Sequence, residues 1–298
     1  MESVLYGMHG LGDGIMQRPF VKALRSRRTR LWVATPWPEL YSDLDVQFVR
    51  TNSRLRTQRK NEDRSTVKWT VPSRIASAVR LAYGAGKLER MNIWEALEQD
   101  VPLEKGHPIV LDLPRMGDPW PIDTGGKPLA LVRPVTERME WLNQARSPKY
   151  EYVNQIARML MDTHHVVAVA DTEHRREWVV GAKTPAHESF LAGEIPVPRL
   201  LELARTADVL VGGVGWIVPA AVALQVKCFC ILGGCGGHNA PEKLLDPRMD
   251  RRWVRFAWPD TLCMCTQMEH TCSKRIADLE GQWRQAQQSW TDRLVGVV

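Results

Sequence analysis

The chain has 298 residues, a formal net charge of +6 and six cysteines, and 44% of its residues are hydrophobic. It has no run of about 18 apolar residues and no signal-peptide pattern at the N-terminus, which excludes a membrane-spanning helix, so we expect a soluble cytoplasmic protein with no stable membrane insertion. Disulfides are uncommon in that compartment, so the cysteines are expected to be thiols or metal ligands, and the length suffices for two domains.

The first predicted strand, residues 4–6, leads into a glycine-rich turn. The turn reads Gly10-Leu11-Gly12-Asp13-Gly14, and a helix is predicted after it over residues 15–25. Such a turn brings backbone N–H groups and a helix N-terminus close to a ligand, and Asp13 adds a carboxylate there. The alternative is a plain strand-to-helix turn without a ligand. The spacing differs from the dinucleotide fingerprint G-x-G-x-x-G, which disfavours NAD.

Two further strands are predicted over residues 31–34 and 46–49, ahead of a stretch crowded with arginine. Residues 50–64, here called the basic arm, interleave Arg and Lys with Asn, Gln, Ser and Thr, which predicts a solvated loop. The equally weighted alternative is contact with a polyanion such as DNA, because phosphate backbones attract such charge.

An amphipathic helix is then predicted over residues 73–83, a second helix over 93–98 and a strand over 109–113. Alternating strands and helices are typical of a parallel sheet. Residues 114–128 are rich in Pro and Gly, which predicts a linker, and we place a domain boundary there.

The second half repeats this alternation and ends in a long polar helix. Strands are predicted over residues 129–133, 166–170, 209–212 and 228–232, and helices over 150–161, 197–205, 218–224 and 273–290. Two doubly wound halves joined by a linker place a ligand cleft at the carboxyl ends of both sheets. The predicted fold class is therefore α/β, with two Rossmann-type doubly wound domains that face each other across a cleft.

Two separated segments resemble one known family. Gly12-Asp13, followed by Pro19 and by Val21-Lys22-Ala23-Leu24, is similar to the opening motif of the heptosyltransferase-like glycosyltransferases, family nine of the GT-B class. Residues 201–224, which read L-E-L-A-R-T-A-D-V-L-V-G-G-V-G-W-I-V-P-A-A-V-A-L, resemble the donor-site block of that family. Residues 228–234 resemble the strand and glycine turn that follow it.

The resemblance implies that the chain has a GT-B-like fold and is a divergent member of the family. The implied domains are an acceptor-side domain over 1–120, a nucleotide-sugar-binding domain over 121–272 and a C-terminal helix over 273–298 that packs back on the first domain. The chain departs from the family pattern at Val214 and Pro219, where the family carries an acidic residue and a histidine. Heptose as the sugar is therefore not predicted.

Transfer of a sugar to a hydroxyl needs a base that takes the hydroxyl proton. The resemblance implies that Asp13 is this base, and the glycine turn lets its carboxylate face the cleft. The competing role for Asp13 is an N-cap for the helix that follows. We expect His9, Gly12 and Arg18 on the acceptor side of the cleft.

The leaving diphosphate needs cationic or N–H groups at the donor side. Glycine permits close approach and a helix N-terminus favours an anion, whereas arginine binds phosphate through two hydrogen bonds. These arguments need no divalent cation. The predicted donor-binding residues are Arg133, Thr136, Arg138, Asp171, Gly212, Gly213, Gly215, Trp216 and His238.

A cluster of soft ligands lies near the C-terminus. Cys263, Cys265, His270 and Cys272 form a set that suits tetrahedral zinc in a structural role. Their spacing lacks the usual C-x2-4-C knuckle, and the alternative is a group of reduced thiols.

The predicted function is sugar transfer from a nucleotide diphosphate sugar to a hydroxyl on an anionic acceptor. This acceptor is a DNA base, as in viral genome modification in a host cytoplasm, or a lipopolysaccharide-type glycan; the DNA acceptor rests on the basic arm alone. The alternative is a nucleic-acid-binding protein with a degenerate transferase fold, suggested by the basic arm and twelve tryptophans. An epimerase would need a dinucleotide fingerprint that the sequence lacks.

Overall fold

The first half of the chain forms a parallel sheet with helices. The computed structural model describes residues 2–103 and 109–295. The elements of the first half are β1 (Glu2–Tyr6), α1 (Leu11–Arg27), β2 (Arg30–Ala34), β3 (Gln47–Val49), α2 (Arg56–Arg64), β4 (Ser77–Arg80), α3 (Ala85–Leu88) and α4 (Ile93–Asp100). The strand order is β3-β2-β1-β4, and all three pairings are parallel.

Helix α1 begins at Leu11, earlier in the sequence than its predicted start at Ile15. Asp13 closes the first turn, because its Oδ2 accepts the N–H of Gly10 at 3.1 Å. Ile15 and Phe20 then face the core and are fully buried, and each such burial contributes about 1.5–3 kcal/mol to stability. The glycine turn and the helix are therefore one continuous unit.

The helix predicted over residues 73–83 was wrong, because this segment contains strand β4. Ser77 lies opposite Ser3 of β1 in parallel register, and their hydroxyl oxygens are 2.9 Å apart. The edge of β1 offers backbone partners to an extended chain, and this tertiary pairing outweighs the local apolar period. The strand brings Tyr83 to the carboxyl end of the first sheet.

The basic arm contains a helix, α2, and the predicted solvated loop was wrong. Cations of α2 contact the second half of the chain: Arg56 and Lys60 lie 2.8 and 2.9 Å from Asp171, and Arg64 donates to the carbonyl of Gly193 at 2.8 Å. The charges of Arg56 and Lys60 are thus paired with a carboxylate of the protein, and the guanidinium of Arg64 is engaged by a backbone carbonyl. The polyanion contact, which requires charges free to meet phosphate, therefore gains no support from them.

A half-buried carboxyl group, Glu39, packs against α2. The side-chain amide of Asn61 donates to Glu39 Oε1 at 2.8 Å and to the carbonyl of Pro36 at 2.7 Å. Burial raises the pKa of Glu39 to about 7. The unfolded chain releases this proton near pH 4.5, so the free energy of unfolding falls as the pH rises from there to about 7.

Replacement of Glu39 by glutamine is expected to remove this pH dependence. One pKa unit corresponds to about 1.4 kcal/mol, so Glu39→Gln gains about 2–3 kcal/mol over the wild type between pH 5 and pH 8. The amide oxygen of glutamine still accepts from Asn61. We expect the Tm difference between variant and wild type to grow by several degrees over that interval. Glu151→Gln, which changes an exposed glutamate, should show no such growth; equal Tm differences for Glu39→Gln at both pH values would contradict the assignment.

The strand predicted over residues 109–113 was also wrong. Within the described ranges this segment makes a single bridge, between Ile109 and Met249, and belongs to none of the three sheets. Buried Leu111 and exposed Val110 alternate as in a strand, which explains the prediction. The segment runs extended over the core because its apolar side chains find neighbours there without strand pairing.

The second half forms a larger parallel sheet. Its elements are β5 (Leu129–Val132), β6 (Thr136–Arg138), α5 (Tyr150–Met161), β7 (His165–Val169), β8 (Glu177–Val179), β9 (Glu188–Phe190), α6 (Val197–Thr206), β10 (Val209–Gly213), α7 (Ile217–Leu224), β11 (Lys227–Ile231), α8 (Gly236–Asn239), α9 (Pro241–Leu244), β12 (Val254–Ala257) and α10 (Leu279–Val295). The strand order is β12-β11-β10-β5-β7-β9, while β6 and β8 form a separate antiparallel pair. The predicted α/β class with parallel sheets is confirmed.

The last helix, α10, packs on the second sheet. The sequence had predicted that it would pack back on the first domain. Leu279, Trp283 and Trp290 lie on one face of α10 and are buried with residues of the second sheet. The Trp283 ring meets Phe229 of β11 edge-on, with ring centroids 5.0 Å apart. The apolar face of α10 packs against apolar side chains of β11, and this packing fixes the position of the helix. Among the helices in residues 2–103 and 109–295, none has the length and apolar content to cross a membrane.

The glycine turn of the first half meets helix α7 of the second. A Cβ at Gly12 would lie 3.2 Å from Trp216 Cα and 3.3 Å from Pro219 Cγ, so a larger residue here would have to push α7 back by a few tenths of an ångström. Buried Ile15 and Ile217 belong to one continuous apolar cluster. The carboxyl ends of the two sheets are therefore held close together.

Candidate functional site

A cavity of about 950 Å³ opens between the carboxyl ends of the two sheets. Cavities of this size hold small ligands in many proteins. The loops after β1, β3 and β4 line one wall, and those after β5, β7, β10 and β11 line the other. Of the predicted site residues, those that line it are His9, Gly12, Asp13, Arg133, Thr136, Arg138, Asp171, Gly215, Trp216 and His238.

Asp13 presents its carboxylate at the first wall. Its Oδ2 accepts the Gly10 N–H, and its Oδ1 accepts the hydroxyl of Tyr83. The N-cap predicted as its competing role is wrong, because Gly10 is the N-cap and Asp13 is the third residue of the helix. Its carboxylate accepts the N-cap N–H and still lines the cavity. Each carboxylate oxygen has a second lone pair, which leaves room for a hydroxyl of a ligand.

Tyr83 is a site residue that sequence reasoning missed. Burial raises its pKa well above the usual value, and the charge and hydrogen bond of Asp13 add to the shift. The phenol thus stays protonated and donates to Asp13. No motif surrounds Tyr83 in the sequence, and only the pairing of β4 with β1 brings it to the cavity.

His9 lines the same wall beside Asp13. Burial lowers the pKa of His9, although the charges of Glu62 and Asp13 oppose the shift. The imidazole is therefore neutral at pH 7 and can exchange hydrogen bonds with a polar ligand. Its backbone carbonyl accepts the indole N–H of Trp37 at 2.7 Å, which fixes the turn.

Arg18, predicted on the acceptor side, does not line the cavity. Its side chain is fully buried and forms ion pairs with Asp43 at 2.5 Å and Asp112 at 3.3 Å. It also donates to the carbonyl of Leu40 at 2.6 Å. Because it lies on the side of α1 that packs against these loops, Arg18 joins the helix to them and is out of reach of a ligand.

Arg133 follows β5 and lies on the opposite wall. Burial and repulsion by Arg146 and Arg138 lower its pKa to about 10, so it remains charged at pH 7. Within the described ranges its guanidinium has no carboxylate partner. A Cβ at Gly215 would lie 3.1 Å from Arg133 Nη1, so the glycine leaves room for the guanidinium.

Arg146 is a second half-buried cation on this wall, and it was not among the predicted site residues. Burial lowers its pKa, and its Nε has no hydrogen-bond partner among the described residues. The guanidinium lies 5.7 Å from the ring centroid of Trp141, a weak cation–π contact. Two half-buried cations without carboxylate partners among the described residues carry a desolvation cost, so the wall is electrostatically prepared for an anion.

The N-terminus of α7 borders the cavity near these arginines. Trp216 is its N-cap, and Val214, Gly215 and Trp216 line the cavity. The aligned peptide dipoles favour an anion at this end. Val214 and Pro219, the positions that depart from the family pattern, also line the cavity, so apolar groups stand where the family has an acidic residue and a histidine.

Gly212 and Gly213, predicted as part of a diphosphate cradle, lie outside this cavity. Both are buried at the end of β10. A Cβ at Gly212 would lie 2.9 Å from the carbonyl oxygen of Arg133, and one at Gly213 would lie 2.6 Å from Pro148 Cδ. Their role is close packing, which positions the segments that carry Arg133 and Arg146.

Thr136 and Arg138 of β6 lie near Glu177 of β8. The Thr136 hydroxyl is 3.4 Å and Arg138 Nη2 is 3.6 Å from Glu177 Oε1. Burial raises the pKa of Glu177, opposed by the charges of Arg138, Arg133 and Arg56. Arg138 is thus partly neutralised, in contrast with Arg133.

Asp171 follows β7 and lines the cavity, but its carboxylate is engaged. Arg56 and Lys60 of α2 both lie within 2.9 Å of Asp171 Oδ1. A ribose or base could contact this carboxylate only if the carboxylate also kept its two cationic partners. In this structure Asp171 joins α2 to the second half.

His238 lies in the short helix α8 and lines the cavity near Cys235 and Asn239. Its Nε2 is buried and has no hydrogen-bond partner among the described residues. Buried polar atoms are normally paired. His238 therefore lines the cavity with a ring whose Nε2 is buried and has no partner among the described residues.

The four predicted metal ligands come together beside this wall. The ligand atoms of Cys263, Cys265, His270 and Cys272 all lie within 4.8 Å of one another. The cluster forms after β12 in a segment that packs against the turn before α8. The soft ligands that were recognised from their composition are therefore also adjacent in space.

The comparisons with known proteins agree with this architecture. No protein-family model and no curated protein matches the chain. Among solved structures, the iron-containing dodecameric glycosyltransferase TibC from enterotoxigenic E. coli H10407 is similar with a TM-score of 0.63 and 14% identity, over 97% of this chain and 76% of that one.

Two further solved structures are similar over nearly their full length. The family nine glycosyltransferase from Veillonella parvula DSM 2008 has a TM-score of 0.55 and 10% identity, with 97% of both chains covered. E. coli heptosyltransferase WaaC with ADP-2-deoxy-2-fluoro heptose has a TM-score of 0.53 and 11% identity, over 97% of this chain and 99% of that one. These likenesses confirm the resemblance to family nine at the level of the fold.

Proposed function

We propose that the protein transfers a sugar from a nucleotide diphosphate sugar to a hydroxyl group of an acceptor. The proposal rests on one observation above others. A single cavity carries the Asp13 carboxylate on one wall and the guanidinium groups of Arg133 and Arg146, without carboxylate partners, on the other. A base and an anion site on facing walls are the two groups that such a transfer needs.

In the proposed reaction Asp13 takes the proton of the acceptor hydroxyl. The acceptor oxygen forms a bond to the anomeric carbon of the sugar, and the bond from that carbon to the diphosphate oxygen breaks. The electron pair of the broken bond stays on the nucleoside diphosphate. Tyr83 and the Gly10 N–H hold the carboxylate in place throughout.

The leaving diphosphate gains negative charge as the bond breaks. Arg133, Arg146 and the N-terminus of α7 supply positive potential where this charge develops, and such groups stabilise it. His238 supplies a further polar atom. The proposal therefore requires no divalent cation, because these groups already balance the developing charge.

In this proposal the two halves of the chain bind different substrates. Residues 1–120 carry Asp13 and form the acceptor side, and residues 121–272 carry the arginines and form the donor side. The acceptor is proposed only as a hydroxyl-bearing molecule. Since WaaC is described with an ADP-sugar analogue, ADP and ADP-sugars are the first donors to test.

The test is a thermal-shift screen of the nucleoside diphosphates ADP, UDP, GDP, CDP and dTDP and their sugars. A ligand at 100 times its Kd stabilises the native state by about 2.7 kcal/mol, so at least one compound should raise the Tm by several degrees. The compound that binds is then incubated with candidate acceptors, and release of the nucleoside diphosphate is followed.

The matched control is the corresponding nucleoside, which lacks the diphosphate and should shift the Tm much less. If no nucleoside diphosphate or sugar raises the Tm at millimolar concentration, donor binding in this cavity is refuted. Binding without any release of nucleoside diphosphate in the presence of acceptors would retain the anion site and refute the transfer.

A further inference from the structure

The Cys and His cluster lies in a long segment without regular structure. Residues 258–275 contain neither a helix nor a strand. Segments of this length inside a compact fold need some cross-link or function to hold them. The cluster of Cys263, Cys265, His270 and Cys272 lies in the middle of this segment.

The distances within the cluster match those of a tetrahedral metal centre. Zinc bonds of about 2.3 Å to sulfur and 2.0–2.1 Å to nitrogen give tetrahedral edges of about 3.8 Å between sulfurs and about 3.6 Å between sulfur and nitrogen. The Cys265 and Cys272 sulfurs are 3.7 Å apart, and Cys263 Sγ lies 3.6 Å from His270 Nδ1. His270 Nδ1 and Cys272 Sγ are closer, at 3.1 Å.

A disulfide does not account for the cluster. All six cysteines are free thiols, and the 3.7 Å between Cys265 and Cys272 is far above the S–S bond length of about 2.05 Å. Three cysteines and one histidine are a known closed set for structural zinc. Such a set leaves no open position for a substrate.

The metal segment is fastened to the glycine turn that precedes α8. Gly236 N–H donates to the carbonyl of Cys263 at 2.8 Å, and Gly237 N–H donates to that of Cys265 at 3.1 Å. A Cβ at Gly234 would lie 2.2 Å from Cys272 Sγ. This contact explains the glycine at position 234, and the two hydrogen bonds hold the cluster against the turn that leads into His238.

The same segment also holds the loop that carries Arg146. Ala145 N–H donates to the carbonyl of Met268 at 2.9 Å, and Gly234 N–H donates to that of Ala145 at 2.7 Å. Thr266 and Met268 themselves line the cavity. The segment is therefore a support for the wall on which Arg146 and His238 lie.

We propose that Cys263, Cys265, His270 and Cys272 bind one zinc ion, and that this ion fixes the donor wall so that metal and nucleoside diphosphate bind with positive coupling. The metal site stands on its own geometry, whereas the coupling rests on the proposed function. Coupling between two sites typically changes affinity by about 5- to 150-fold, and it is reciprocal.

The metal site is tested by metal analysis of the full chain, purified from cells supplied with both zinc and iron. We expect about one equivalent of zinc per chain, and loss of the metal in Cys265→Ser and Cys272→Ser. Cys228→Ala, which removes a buried thiol outside the cluster, should retain the metal. If the serine variants fail to fold, cobalt substitution of the wild type should give the visible spectrum of a tetrahedral cobalt thiolate. A chain without stoichiometric metal overturns the site, and stoichiometric iron in place of zinc overturns the zinc assignment.

The coupling is tested on the wild type, with ADP as the probe. After removal of zinc by a chelator, the Kd for ADP is expected to rise at least about fivefold and to recover on addition of zinc. An unchanged Kd with zinc bound and removed overturns the coupling but leaves the metal site standing. If ADP fails to bind in either state, UDP, GDP, CDP and dTDP are tested in the same way; should none bind to the zinc form, both the coupling and the proposed donor site are overturned, and the metal analysis stands alone.

Discussion

Replacement of Asp13 by asparagine is expected to lower kcat for sugar transfer by about 10²- to 10⁴-fold, the usual contribution of a general base. The amide oxygen can still accept from Gly10 or Tyr83, so the first turn of α1 should persist. The amide has almost no affinity for the hydroxyl proton. Since the donor contacts lie on the opposite wall, the affinity for the nucleoside diphosphate should change little. Initial rates at saturating donor and acceptor, with calorimetric binding of the diphosphate, measure both.

The matched control is Asp45→Asn, which removes an exposed carboxylate paired with Arg25. It should leave kcat unchanged, because exposed ion pairs contribute little and this one is remote from the cavity. An Asp13→Asn enzyme with the kcat of the wild type would remove Asp13 from the role of base.

Tyr83→Phe separates positioning from proton transfer in the same assay. Loss of the phenol leaves the carboxylate with one hydrogen bond instead of two, and a lost hydrogen bond to a charged group costs about 1.5–3 kcal/mol. We expect kcat to fall by at least about tenfold but less than in Asp13→Asn, with the diphosphate affinity unchanged. A fall equal to that of Asp13→Asn would assign Tyr83 an essential part in proton transfer.

The parts of the fold that could be predicted are those whose pattern is local. Buried strands such as β1 and β10 are apolar runs followed by glycine, and helices such as α5 show a clear period of 3.6. Asp13 and Gly215 were found because they lie in such glycine turns. Their place at the carboxyl end of a parallel strand then follows from the topology.

The parts that could not be predicted depend on distant partners. Strand β4 forms because β1 has an open edge, and helix α2 is held by Asp171, which lies more than 100 residues away. Tyr83 and Arg146 have no motif around them. Arg18 and Gly213 occupy predicted positions in the sequence but face packed neighbours, because helix orientation and strand packing decide which side chains reach a cavity.

Replacement of Arg133 or Arg146 by methionine is expected to weaken binding of the nucleoside diphosphate by about 10- to 150-fold, the range for a lost hydrogen bond to a charged group. Methionine retains much of the apolar volume and removes the charge. The effect should appear in the Kd of the diphosphate and in the KM of the donor. Both are measured with the compound that gives the largest thermal shift.

The same substitutions are expected to leave the Tm of the ligand-free protein unchanged or to raise it. Burial without a carboxylate lowers the pKa of Arg133 to about 10, which means that the folded protein bears a cost for keeping this charge. Replacing a poorly compensated buried charge with an apolar side chain is often neutral or stabilising. A structural arginine would behave in the opposite way, because its loss would break contacts and lower the Tm.

Arg199→Met is the matched control, since Arg199 is half-buried outside the cavity and donates to the carbonyl of Pro119 at 3.1 Å. It should lower the Tm slightly and leave the Kd of the diphosphate unchanged. For the Arg133 and Arg146 variants we expect weaker binding of the diphosphate together with an equal or higher Tm. If the Tm falls while the Kd stays constant, these arginines support the fold and the anion site must be sought elsewhere. A wall that keeps unpaired charges for an anionic ligand is less stable when it is empty. Removing one of these charges should therefore weaken ligand binding without lowering the Tm of the empty protein.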